Sequence, residues 1–139
     1  MTIIGFNFKK INIEKFKAVN GKININNNVS IVNVEEKELS LGKSKEKGLN
    51  FTFEFKTAYE PKIGSIELTG EILSIGDAKK VEEVLASWKK DKKLPKEVMA
   101  NVLNTALNRC NIQALILSQQ MNLPPPIPLP KVEAAKEAK

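Results

Sequence analysis

The stretch Leu49-Asn-Phe-Thr-Phe-Glu-Phe55 alternates apolar and polar residues without a break. A period of two puts Leu49, Phe51, Phe53 and Phe55 on one face of an extended chain and Asn50, Thr52 and Glu54 on the other. That pattern describes a strand with one buried and one wet face. Downstream, Ile66, Leu68 and Ile72 continue the alternation beyond the turn-forming residues Tyr59-Glu-Pro-Lys-Ile-Gly64, with Gly70 as a candidate bulge. The two runs predict a long antiparallel hairpin. Upstream, Phe6 and Phe8 lie in one phase and Ile11 and Ile13 in the other, so a bulge near Lys9-Lys10 would bring both pairs to the same face. The turn residues Asn20-Gly21 then lead into Ile23, Ile25, Val29 and Ile31, interrupted by Asn26-Asn-Asn28. From Glu35 to Gly48 the charges, glycines and serines read as a loop, which leaves four strands in the first half.

The second half changes period. Asp77 can cap a helix in which Val81, Val84, Leu85 and Trp88 fall at i, i+3, i+4 and i+7. This helix is expected over Ala78–Lys93. A second begins near Pro95, a residue favoured at a helix start, with Val98, Met99, Val102, Leu103, Ala106, Leu107 and Cys110 as its apolar face. From Ile112 to Leu117 the apolar character spreads around the helix, as it does where a helix is covered on more than one side, here by its own sheet and by another subunit. Strands followed by helices predict an α+β fold: a four-stranded antiparallel sheet with the C-terminal helices packed on one face. One domain is expected over residues 1–132, with a short flexible tail over 133–139.

Composition excludes much chemistry. With no histidine and a single cysteine, Cys110, the chain holds no His/Cys zinc site, no internal disulfide and no Ser-His or Cys-His pair. Such cysteine usage suits a reducing cytoplasm. The N-terminus MTIIGFNFKK lacks the pattern of a signal peptide, and no run approaches the ~20 apolar residues of a membrane span. The net charge of +6 is spread evenly, with an excess of two positive charges in each of residues 1–76, 77–93 and 94–139. A phosphate-binding face concentrates its charge and uses arginine, whereas here only Arg109 departs from lysine. Trp88-Lys-Lys-Asp-Lys-Lys93 reads as a solvated helix end, Glu35, Glu36 and Glu38 as a solvated cluster, and Cys110 and Trp88 as packing residues. Nothing implies a cofactor or an enzyme. By contrast, the phenylalanine row, the isoleucine pairs around Asn26–Asn28, and Ile112–Leu117 with Met121 and Leu123 exceed the apolar needs of one small sheet.

The helical half ends in Met121-Asn-Leu-Pro-Pro-Pro-Ile-Pro-Leu-Pro-Lys-Val132. As a proline-groove ligand this strip is out of register. Pro125 and Pro128 fit a P-x-x-P spacing, but the position that needs a cation is Pro130, and Lys131 comes one residue late. The interleaved Leu123, Ile127, Leu129 and Val132 point instead to an extended strap lying on its own fold, which a stiff polyproline segment does at low entropic cost.

In this region the chain resembles the SecB export-chaperone family. Cys110-Asn-Ile-Gln-Ala-Leu-Ile-Leu117 is similar to that family's C-P-x-x-L-F-P-Y helix, and Leu123-Pro-Pro-Pro-Ile-Pro-Leu-Pro-Lys-Val132 to its F-P-P-L-N-L-P-P-V segment with one proline inserted. The family's aromatic residues are replaced by Leu115-Ile-Leu117, its Arg-Glu by Gln119-Gln120, and the helix over Ala78–Lys93 is an addition. The resemblance implies a homotetramer, a dimer of dimers, that holds unfolded polypeptides in apolar grooves without ATP. By position in the family, the client-binding residues would be Ile23, Ile25, Val29 and Ile31 with Leu115, Leu117, Met121 and Leu123. The family's acidic docking surface for the SecA motor is not carried over to this basic chain. Two alternatives stay open: a ribosome- or RNA-associated protein using Lys89, Lys90, Lys92, Lys93 and Lys96, and an antitoxin-type chaperone module with one specific partner.

Overall fold

The computed structural model describes residues 2–41 and 44–130. Strands β1 (Thr2–Lys15), β2 (Asn24–Leu41), β3 (Ser44–Glu60) and β4 (Gly64–Ile75) form one antiparallel sheet in the order β1-β4-β3-β2, followed by helices α1 (Ala78–Asp91) and α2 (Lys96–Gln120). The α+β architecture is the expected one. The β3–β4 hairpin is its centre, with Phe51 opposite Ile72, Phe53 opposite Gly70 and Phe55 opposite Leu68. That register puts the phenylalanine row and Ile66, Leu68 and Ile72 on one face, all fully buried. The opposite face is polar and carries exposed ion pairs, including Lys10–Glu67 at 3.3 Å and Lys56–Glu54 at 3.2 Å. Such pairs add little stability and serve to keep this face wet.

Both helices cover the apolar face. Asp77 caps α1, its carboxylate accepting the Lys80 N–H at 2.8 Å, and Lys92 closes the helix in a left-handed conformation with its N–H on the Trp88 carbonyl. Val81, Val84 and Trp88 point into the core. On α2 the buried residues Val98, Val102, Ala106, Cys110, Ala114 and Ser118 recur every fourth position, and most of them are small. A stripe of small side chains lets the helix axis lie close to the sheet. The larger residues are displaced to its flanks: Met99 and Leu107 pack there, while Ile112 and Ile116 remain 58% and 46% exposed.

Several local features refine or correct the sequence reading. The bulge near Lys9-Lys10 is present as a register shift between Phe8 and Lys10, and a second shift lies between Ile3 and Gly5. Gly70 is not itself a bulge: β4 keeps its register with β3 there, and the extra residue belongs to β1. Glycine is required because a Cβ would stand 2.5 Å from the Asn7 carbonyl oxygen and 2.7 Å from the Phe53 ring. Asn26–Asn28 do not interrupt β2; Ile25, Asn27 and Val29 face Tyr59, Thr57 and Phe55 in turn. The segment from Glu35 to Gly48 is mostly paired strand, with β2 running to Leu41 and β3 starting at Ser44. Glu38 lies opposite Lys47, the 3.6 Å Lys47–Glu36 pair runs diagonally across the hairpin, and the backbone ladder holds without a continuous apolar face.

A candidate apolar groove beside the proline strap

The site begins where α2 stops. Asn122 adopts a left-handed φ of 55°, its N–H bonds to the Gln119 carbonyl at 3.3 Å, and the Leu123 N–H bonds to the Ser118 carbonyl at 2.8 Å. These two bonds form a Schellman closure, with asparagine tolerating the position usually given to glycine. The closure turns the chain back over the end of the sheet and buries Leu123 against Gly64. Prolines then prevent the helix from resuming.

Two side chains of the sheet hold the strap. Tyr59 Oη donates to the Pro124 carbonyl at 2.7 Å, and Asn27 Nδ2 donates to the Pro126 carbonyl at 2.7 Å. The Thr57 hydroxyl donates to Asn27 Oδ1 at 2.6 Å, which fixes which end of the amide faces the strap. Burial pushes the Tyr59 hydroxyl up to about 12, so it stays protonated and able to donate throughout the ordinary pH range. Burial also pushes the Cys110 thiol up to about 12, which leaves a neutral packing residue and no nucleophile.

On its other side the strap walls a groove of about 540 Å³, lined by Leu115, Ile116, Leu123, Pro125 and Leu129 among others. A second hollow of about 360 Å³ continues along Ile127 and Pro128. The expected client residues fall into two sets. Ile25, Val29 and Ile31 lie on the helix-covered face of the edge strand β2 and, like Ile23 just before it, are half-buried against the core. Leu115 and Leu123 line the groove, although Leu123 is only 6% exposed; Leu117 is buried at 8% and Met121 packs half-buried against the core. The strap lies between the sets, its carbonyls hydrogen-bonded to the β2–β3 side and Pro125 and Leu129 turned to the groove.

Sequence reasoning missed Asn27, Tyr59 and Ile116 as parts of this site. Signals were present: Asn27 is a polar residue in the inward phase of Ile25 and Val29, although it lies exposed on the edge strand. Tyr59 continues the phase of Phe51, Phe53 and Phe55. The lysines near the end of α1 lie apart from the groove and are exposed, with Lys92 Nζ 5.3 Å from the Trp88 ring centre.

The sequence matches no protein-family model and no curated protein. The fold has a solved counterpart: the chain is similar to a SecB-like chaperone of Mycobacterium tuberculosis, determined in complex with a ChAD peptide from the HigA1 antitoxin. The TM-score is 0.55 over 95% of this chain and 90% of that one, at 9% identity. The likeness is one of fold. Among the described residues, no helix is long and apolar enough to cross a membrane.

Proposed function

We propose that the chain is an ATP-independent holdase that captures unfolded or extended polypeptides and catalyses no reaction. The observation that carries this reading is an open apolar groove beside the strap, on a SecB-like fold. Ile23, Ile25, Val29 and Ile31 would contact clients from one side of the strap and Leu115, Leu117, Met121 and Leu123 from the other. Apolar area and main-chain hydrogen bonds would supply affinity without sequence specificity, and binding would restrain aggregation by mass action on the unfolded state. The working form would be a cytoplasmic dimer of dimers; the outward exposure of Ile112 on α2 supports a further subunit covering that helix. A link to protein export belongs to the same proposal.

A second reading has one specific observation in its favour. The solved counterpart holds an antitoxin peptide, so the groove here would serve one dedicated partner in place of many clients.

Light scattering for the oligomer mass, joined to an aggregation assay with an unrelated unfolded protein at low and high salt, tests the holdase. An oligomer that suppresses aggregation equally or better at high salt is expected, because apolar capture is not screened. A monomer that leaves aggregation unchanged would contradict it. Binding to RNA through the lysines, the alternative reading, would instead fall steeply with salt.

A further inference from the structure

We propose that Asn27 and Tyr59 form a site that reads main-chain carbonyls of an extended polypeptide, and that the strap Pro124–Pro130 is its resident occupant, displaced when a client binds. This rests on the holdase reading above. Both donors contact backbone carbonyls of the strap and no side chain, so the groups they recognise are present in every polypeptide. The two carbonyls are two residues apart, and an extended client presents carbonyls at similar spacing whether it is polyproline-like or strand-like.

The donors stay aimed without the strap. Thr57, itself 1% exposed, orients the Asn27 amide, and the Tyr59 ring is fully buried in the core beneath its hydroxyl. The strap is also a poor competitor by construction. Five of its seven residues are prolines, which lack an N–H, so only Ile127 and Leu129 could donate to the edge strand beside them. An ordinary polypeptide in the same place keeps its donors and can add hydrogen bonds that the strap cannot make. Pro128, Leu129 and Pro130 are exposed, so the far end of the strap is where it can peel away. Its departure would join the groove on the α2 side to Ile25 on the β2 side, uniting the two sets of apolar residues that the strap now separates.

The test compares the full chain with an Ile127→Asp variant, which loosens the strap and leaves both donors untouched. The probe is reduced, carboxymethylated α-lactalbumin, followed by fluorescence anisotropy. The variant should bind about fivefold more tightly, because a larger fraction of molecules has the site open. Adding Tyr59→Phe to that variant should take back most of the gain, and a synthetic peptide of sequence LPPPIPLP should displace the probe from the unsubstituted chain. Unchanged or weaker binding by Ile127→Asp, together with no displacement by the peptide, would overturn the proposal while leaving the holdase in place. Failure of the unsubstituted chain to bind the probe at all would overturn both.

Discussion

Replacing Tyr59 by phenylalanine removes one oxygen from a ring that is otherwise fully buried, and the consequence fades as pH rises. At pH 8 the variant loses the 2.7 Å hydrogen bond to the Pro124 carbonyl. One net hydrogen bond is worth about 1 kcal/mol, and because Pro124 is only half-buried, water can reach the abandoned carbonyl and keep the loss near that figure. Alkali works against the natural residue alone. Tyr59 titrates at about 12 in the folded chain against 10.0 in its ordinary state, so its contribution is complete below pH 10 and drains away as pH rises toward 12. At pH 11 the unfolded chain gains about 1 kcal/mol from forming tyrosinate, which the phenylalanine variant cannot do. Cys110 is raised by burial in both proteins, so its contribution cancels in the comparison. Urea unfolding at pH 8 and pH 11 should therefore show the gap closing to near zero. A gap that stays constant or widens with pH would refute the assignment of the hydroxyl as a buried donor.

Gly70→Ala would force a methyl group against the Asn7 carbonyl and the Phe53 ring, so destabilisation of about 1–3 kcal/mol is expected, read as a lower urea midpoint. Cys110 should react with a thiol reagent only as fast as the chain unfolds; and because its folded pKa is raised from 9.0 to about 12, Cys110→Ala should flatten the loss of stability between pH 9 and pH 12. Ile116→Asp, at a groove position 46% exposed, should leave stability within about 0.5 kcal/mol while weakening client binding about tenfold, measured by anisotropy.

The residues differ in how much of this they announce. Phe51, Phe53 and Phe55 declare their strand because one face of it is buried on every second residue, and the phase conflict between Phe8 and Ile11 declares a bulge even though Ile11 stays 47% exposed. The pairing of Glu35–Leu41 with Ser44–Asn50 is silent, since the backbone holds that ribbon together and the side chains alternate in charge as a loop's would. Gly70 announces that something unusual occurs, but not that the cause is the Asn7 carbonyl on one side and the Phe53 ring on the other. The strap was legible as a segment lying on its own fold, but of its interleaved apolar residues Leu123 is buried while Leu129 stays 49% exposed and Val132 lies outside the described residues. Its two anchors were not legible, because Tyr59 and Asn27 lie 65 and 99 residues away from the carbonyls they hold. Exposure of Ile116 is equally unreadable from periodicity, for it depends on how the strap leaves the helix.

Hydrogen–deuterium exchange of the full chain, with and without an unfolded client, tests the central claim most directly. A holdase of this geometry should show slowed exchange over residues 23–31 and 115–123 when the client is present. Unchanged exchange in both segments, with protection confined to the lysines near the end of α1, would contradict it.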